Sequence, residues 1–256
     1  MTRAIFFDID GTLKSFETHQ IQASAIYALD ELRKKGIKIF VATGRTPEAL
    51  KSFDLPVDGF ITLNGGYCYL SSGEIIYKHT VSKTDIQALI DYQKINPTPC
   101  VVMAEGITFT PFKHQRIEEF IKLLNFPRME VFPLEKALQV DVFQIVLFFS
   151  EEKDKEMEKI LKTCDALRWY PTFADFVPKG SHKGIGIDKI IEHFNISLDE
   201  TMAFGDGGND ISMLQHAKIG VAMGNANNEV KLSADYVTDS VDNDGVLNAL
   251  RALNVL

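Results

Sequence analysis

The stretch Phe6-Phe7-Asp8-Ile9-Asp10-Gly11-Thr12-Leu13 constrains the fold more than any other part of the chain. Ala4 to Phe7 is apolar on both faces, the pattern of a central parallel strand covered by helices on each side. Such a strand has no solvent face for an idle acid, so Asp8 and Asp10 mark where it leaves the sheet. Two residues apart, they project to the same side, and Gly11 lets the backbone come close to whatever they hold. Carboxylates placed this way repel unless they share a cation or a proton. The blander reading, one Asp capping a turn and the other solvated, suits an isolated Asp-x-Asp; the apolar run before this one and Gly-Thr-Leu after it make the octet far more specific.

The rest of the chain extends an α/β rhythm on either side of an interruption. Ser24 to Lys35 carries Ile26, Leu29 and Leu32 at helical spacing, Gly36 stands at the C-cap, and Ile37 to Ala42 is a second buried strand, so the pair is parallel by the right-handed crossover rule. That strand ends in Thr43-Gly44-Arg45, followed by the helix start Thr46-Pro47-Glu48. A hydroxyl and free N–H groups there suit an anion, although a lone Thr-Gly is ordinarily a strand-end hydroxyl bonded to backbone. A third strand, Gly59 to Leu63, runs into Asn64-Gly65-Gly66. A hairpin follows, Tyr67 to Leu70 with Glu74 to His79 around Ser71-Ser72-Gly73.

From about Thr84 the pattern changes to helices (Asp85 to Lys94, Gln115 to Leu124, Glu151 to Thr163) mixed with hairpin-like strands (Cys100 to Ala104, Ile107 to Thr110, Val142 to Phe149, around Arg168 to Tyr170, and Phe173 to Val177). The α/β rhythm returns at Ser181. Lys183-Gly184 opens an apolar-faced helix, Thr201 to Phe204 is a strand, Gly205-Asp206-Gly207-Gly208-Asn209-Asp210 opens the helix Ile211 to His216, and Ile219 to Met223 and Tyr236 to Thr238 are short strands. The expected organisation is a doubly wound α/β core in two segments, 1–83 and 180–256, with an α+β insertion at 84–179.

At 256 residues the chain is long enough for such a core, and 45% hydrophobic with 24% charged residues is ordinary for a globular protein. A net charge of −8 disfavours nucleic acid as a general partner, so a bound phosphate must be met locally by a metal and a few aimed donors. Cys68, Cys100 and Cys164 are scattered and odd in number, as in reduced core thiols rather than a disulfide framework or zinc site. Asp8 comes too early for a signal peptide, and the longest apolar stretch, Val142 to Phe149, is too short to span a bilayer. The expectation is a soluble cytoplasmic protein without a membrane partner, monomeric or weakly self-associating.

Each polar cluster outside the insertion falls at the C-terminal end of a parallel strand or, for Lys183, at the head of a helix. In an open α/β sheet those ends form one crevice, where Asp8, Asp10, Thr43, Asp206, Asn209 and Asp210 should converge. Carboxylates with almost no nearby sulfur or imidazole select a hard cation, and Mg²⁺ is preferred because it binds through few carboxylates, waters and phosphate oxygens. Lys183 supplies a second positive centre.

These segments resemble the four motifs of the haloacid dehalogenase (HAD) superfamily of phosphotransferases. The octet at Asp8 is similar to the first motif, Ala42-Thr43-Gly44-Arg45 to the second, Lys183-Gly184 to the third and Gly205 to Asp210 to the fourth. An insertion between the second and third resembles the type II cap, and Asn64-Gly65 with Ala234-Asp235-Tyr236-Val237-Thr238 resembles the type IIB, Cof-type sugar-phosphate phosphatases. Gly207 and Gly208 stand where many relatives carry other small residues, which should not disturb the ligands.

The resemblance implies a Rossmann-like core with a cap that closes over a small phosphorylated sugar, hexose phosphates among them. It also implies Mg²⁺ held by Asp8, Asp206 and the backbone carbonyl of Asp10, an aspartyl phosphate on Asp8, and Asp10 as acid and base. Thr43, the Gly44 amide and Asn209 would hold phosphate oxygens, Lys183 would offset charge, and Asp210 would orient Lys183 or the metal's water shell.

Arg45 and Asn64 lie at crevice strand ends, where they serve either substrate and cap or the surface alone. His19 and His182 have no paired ligand, and His193 and His216 sit late in helices, where the dipole suffices. Trp169, Tyr170, Phe173 and Phe176 line a substrate roof or pack the cap sheet, packing being the commoner use of aromatics. Lys179 is placed to reach a substrate or solvent. Rival functions are a phosphomutase, which returns the phosphoryl group to a sugar, and a noncatalytic phosphate sensor, for which Asp10 would be superfluous. A dinucleotide site at Gly205 is disfavoured by the acids in its loop.

Overall fold

The computed structural model describes residues 1–51, 53–123, 126 and 129–256, with the backbone alone at Trp169. Its strands are β1 (Ala4–Phe7), β2 (Lys38–Ala42), β3 (Gly59–Thr62), β4 (Tyr67–Leu70), β5 (Ile75–Lys78), β6 (Cys100–Ala104), β7 (Ile107–Thr110), β8 (Glu130–Val131), β9 (Val142–Leu147), β10 (Cys164–Tyr170), β11 (Phe173–Pro178), β12 (Thr201–Gly205), β13 (Ile219–Ala222) and β14 (Tyr236–Val237). They form two sheets in two compact units, one of Met1–Lys78 with His182–Leu256 and the other of His79–Ser181.

In the first unit the order is β14-β13-β12-β1-β2-β3-β4-β5, parallel from β14 to β3 and antiparallel through β4 and β5. β1 is central because its four residues are fully buried and alternate between two apolar layers. Ile5 and Phe7 join the layer of helices Ala23–Lys34 and Gly245–Ala252, while Ala4 and Phe6 join that of Lys183–Phe194 and Ile211–His216. Phe7 stacks on Phe204 at 4.9 Å and Phe6 on Phe40 at 5.1 Å, so both neighbouring strands are locked in register by ring contact. The first helix stops where the sequence says it should. Gly36 adopts φ +74°, and the N–H groups of Gly36 and Ile37 donate to Arg33 and Leu32, capping the last carbonyls.

The second unit has the order β10-β11-β9-β6-β7-β8, antiparallel except for β7 with β8. Val102, Ile145 and Phe176 join helix Lys83–Ile95 in its core, and helix Gln115–Leu123 sets Phe120 edge-on to Phe148 and Phe173. Val81 belongs to this core and pairs with Val142, so this unit begins at His79 rather than near residue 84.

The helix expected from Glu151 to Thr163 is a single 3₁₀ turn, Glu151–Lys153, followed by a helix over Asp154–Ile160. Asp85 explains the early stop: it accepts hydrogen bonds from the Thr163 N–H and hydroxyl, both at 2.7 Å, and pulls the chain into β10 at Cys164 rather than near Arg168. The two-residue β8 carries no alternation by which to see it. Helix Gln115–Leu123 matches its expected start, and Leu124, its expected end, lies outside the described residues. Among the described residues no helix is long and apolar enough to cross a membrane. The three cysteines are buried, and burial pushes their thiols up to about 12, which leaves them inert.

Candidate active site

The C-terminal ends of β1, β2 and β12 lie side by side and deliver Asp8 and Asp10, Thr43, and Asp206. Asp8 is still paired with the sheet, its N–H donating to the Phe204 carbonyl at 2.9 Å. Lys183 arrives from the other direction, as the first residue of helix Lys183–Phe194. That helix start is seated by Gly65, whose φ is +96° and where a Cβ would lie 2.2 Å from the His182 carbonyl oxygen. His182 caps the helix, its Nδ1 accepting from the Ile185 N–H. Lys183 is completely buried, and its Nζ donates to Asp8 at 2.6 Å and to Asp210 at 2.5 Å.

One oxygen each from Asp8, Asp206 and Asp210 lie within 4.8 Å of one another. The three acids differ in what else they touch. Asp210 is saturated: one oxygen takes Lys183, and the other accepts from the N–H groups of Asp206 and Gly207 at 2.9 and 2.8 Å. It orients Lys183 and the loop. Asp206 accepts from the Thr12 hydroxyl at 3.2 Å and from the Asn225 amide at 3.3 Å. Gly11, at φ +90°, is required here because a Cβ would lie 2.1 Å from the Asp206 carboxylate.

One ammonium does not neutralise three crowded carboxylates. Burial, with Asp210 and Asp206 adding to it against Lys183, holds the Asp8 carboxyl well above the usual range, and burial with Asp210 raises Asp206 to about 7. Burial disfavours the Lys183 ammonium, but Asp210 and Asp8 outweigh it and its pKa rises. An all-oxygen donor set with surplus negative charge fits a hard divalent cation.

Asp10 stands apart from this cluster. Its carboxylate forms a two-point pair with Arg45, Nε to Oδ2 at 2.6 Å and Nη2 to Oδ1 at 2.9 Å, with Lys14 at 3.6 Å. Phe53 lies under both cations, 5.3 Å from the Arg45 guanidinium and 5.7 Å from Lys14. Burial works against the Asp10 carboxylate, yet Arg45 and then Lys14 overcome it and lower its pKa. Arg45 is thus neither an idle surface residue nor, in this arrangement, free for substrate.

Thr43 is buried, and its Oγ1 accepts from the Arg45 N–H at 3.2 Å, which leaves its own O–H to donate. Asn64 is also buried, in a left-handed turn at φ 54°, and its Oδ1 accepts from Asn209 at 3.0 Å. A Cβ on Gly44 would sit 3.1 Å from that same oxygen, so Asn64 braces the second-motif loop against Asn209.

Three of the histidines are engaged outside the Asp8, Asp206 and Asp210 cluster: His216 pairs with Asp188 at 2.6 Å, His193 lies edge-on to Phe194, and His19 is exposed at positive φ. Phe173 packs on Phe120, Phe148 and Tyr170, and Phe176 on Phe149; the Trp169 side chain lies outside the described residues, and Lys179 is exposed. Sequence reading missed Asn225, Thr12 as a partner of Asp206, and the Lys14 contact with Asp10. For Asn225 a signal was present, since it stands three residues past the end of β13, at the edge of the sheet where Thr43 directly follows β2.

Residues 5–250 match the haloacid dehalogenase-like hydrolase family. The chain belongs to the haloacid dehalogenase superfamily. Within it, the chain falls in the type IIB, Cof-type branch. The HAD subclass IIB sugar phosphatase BT4131 is 43% identical, with TM-score 0.86 over 100% of both chains. The HAD-superfamily phosphatase BT1666 from Bacteroides thetaiotaomicron is 36% identical, with TM-score 0.92 over 100% of this chain and 96% of its own. The protein named "Putative phosphatase YkrA" of Bacillus subtilis (strain 168) is 34% identical over 260 residues, covering 100% of this chain and 99% of its own. This HAD protein is a phosphatase, and its substrate is a phosphorylated small molecule.

The raised acids give this HAD phosphatase a pH signature. Asp206 has an ordinary value of 3.8 when unfolded and about 7 in the folded chain, and Asp8 shifts the same way. A group raised on folding stabilises fully below its unfolded pKa, and that stabilisation is lost as pH rises through the folded value. In chelator, the melting temperature is therefore expected to fall between about pH 5 and about pH 8, and added Mg²⁺ should remove most of the fall by favouring the ionised carboxylates. Thermal melts at the two pH values, with and without Mg²⁺, check this; a fall of the same size in both contradicts it.

Proposed function

We propose that the chain is a Mg²⁺-dependent phosphatase for small phosphorylated sugars, hexose phosphates among them, working through phosphoryl transfer to Asp8. The observation that carries this is the placement of Asp8: a buried carboxylate at the end of the central strand, bonded to Lys183 and close to the carboxylates of Asp206 and Asp210. Asp8, Asp206 and the Asp10 backbone carbonyl would hold the cation, with Asp210 outside that set because one of its oxygens takes the Lys183 ammonium and the other already accepts from two backbone N–H groups, where each Asp206 oxygen accepts a single bond. When bound, Mg²⁺ neutralises charge on the phosphoryl group.

The remaining steps belong to the chain. Thr43 O–H, the Gly44 amide and Asn209 hold phosphoryl oxygens, and Lys183 offsets the charge between Asp8 and the phosphate. An Asp8 oxygen bonds to phosphorus as the bond to the sugar oxygen breaks, and that oxygen takes a proton from Asp10. In the second half Asp10 takes a proton from water, the water oxygen bonds to phosphorus, and the bond to Asp8 breaks to release phosphate. Held by Arg45 with a lowered pKa, Asp10 is in the form that serves the second half; acting as acid requires the Arg45 pair to open. Choice among sugars is assigned in this reading to the inserted unit, His79–Ser181.

The test is a panel of sugar phosphates assayed for phosphate release with Mg²⁺ and with chelator. At least one member should be hydrolysed, and chelator should abolish the activity. Phosphate release from no member, or label appearing on a second sugar position instead of in solvent, counts against the reading.

A further inference from the structure

Asn225 lies just beyond the end of β13, in Met223-Gly224-Asn225, and its side chain joins three distant segments. Its Oδ1 accepts from the Val241 N–H at 2.9 Å, and its Nδ2 donates to the Gly11 carbonyl at 2.9 Å and to Asp206 Oδ2 at 3.3 Å. The three partners fix which end of the amide faces which way, because a flipped amide would set its oxygen against two acceptors. The loop beneath is pinned by backbone contacts. The Gly224 N–H donates to the Asp239 carbonyl at 2.9 Å, its own carbonyl accepts from Lys231 at 2.6 Å, and a Cβ at Gly224 would lie 2.7 Å from the backbone at Asp239 and Ser240.

Asn225 is itself exposed, so water was available to satisfy its amide. What its bonds accomplish is alignment. With Thr12 on Asp206 Oδ1 and Asn225 on Oδ2, the carboxylate is held by both oxygens, against the repulsion of Asp210 and Asp8 nearby. The same amide holds the carbonyl of Gly11, the residue that must pass within contact of Asp206 for the first and fourth motifs to meet.

We propose that Asn225 is a positioning residue for the divalent-cation site, holding the Asp206 carboxylate and the Gly11 turn in the relation that the cation requires. The inference rests on the Mg²⁺ reading above. Without the amide, Asp206 is held through one oxygen alone, by Thr12, and can turn its other oxygen away from the neighbouring acids, so the cation must first pull it back. Groups that orient metal ligands in this way are worth about 10- to 100-fold in metal affinity; with one weak bond to the carboxylate and one to the turn, about 10-fold is expected here.

The test is a calorimetric titration of the full chain with Mg²⁺ alone, comparing wild type with Asn225→Ala, together with melts in chelator. The expected result is Mg²⁺ binding weakened about 10-fold, a melting temperature in chelator within about 4 °C of wild type, and hydrolysis that recovers as Mg²⁺ is raised. If Asn225→Ala melts lower than that, Asn225→Leu, which keeps the bulk of the side chain but has no donor, goes through the same titration. Unchanged Mg²⁺ affinity in the variant that folds overturns the proposal. Absence of Mg²⁺ binding by the wild-type chain overturns the functional reading itself, which separates the two failures.

Discussion

Asp8→Asn is expected to leave a folded protein whose phosphatase activity is lower by on the order of 10⁴-fold or more. The amide has the shape of the carboxylate, so β1 keeps its register and the N–H bond to Phe204. The oxygen proposed to attack phosphorus is gone, and no neighbour replaces it. Asp210 has both oxygens occupied, Asp206 is held by Thr12 and Asn225, and Asp10 is paired with Arg45. The exchange also removes one of three crowded acids, so the melting temperature in chelator should not drop. Phosphate release under saturating substrate checks the first part and thermal melts the second; activity within about 10-fold of wild type contradicts a covalent role for Asp8.

Lys183→Met is expected to cost about 3–5 kcal/mol of stability near neutral pH, the range found when one partner of a buried ion pair is removed. Lys183 is fully buried and bonded to two carboxylates, and methionine fills much the same volume without the charge. Asp8 and Asp210 are then left buried with no cation, and Asp206 adds to the repulsion. Urea unfolding in chelator measures the loss. It should shrink as pH is lowered toward about 5, since the orphaned Asp8, already held above the usual carboxylate range, can take up a proton. A loss under about 1 kcal/mol at neutral pH contradicts the view that Lys183 holds the acid cluster together.

The parts of this protein that could be read from its sequence are those imposed by repeated patterns. Four fully apolar residues before Asp8 make a central strand because no solvent face is available, and Gly36 ends a helix because the chain there needs a left-handed residue. The strand-end rule likewise brings Asp8, Thr43 and Asp206 to one edge of a parallel sheet. Local pattern does not carry the side-chain network. Arg45 and Asp10 are 35 residues apart and Asn225 and Gly11 are 214 apart, and nothing in either segment alone specifies the partner. The helix cut short at Ile160 has the same cause, since Asp85 holds Thr163 from 78 residues away. Asn64 shows the limit at a single residue. As a turn asparagine it suggested surface or substrate, and only packing reveals it as a buried brace between the Gly44 loop and Asn209.

The central claim is that Asp8 carries the phosphoryl group during turnover, and rapid acid quench of the Mg²⁺-loaded enzyme with a hydrolysed sugar phosphate tests it most directly. Mass spectrometry of the digested protein should find one phosphoryl group on the peptide containing Asp8, formed and consumed at rates compatible with turnover and missing from Asp8→Asn. Turnover that continues while no phosphoryl group accumulates on that peptide at any quench time, or a phosphoryl group found on a different residue, would contradict the account.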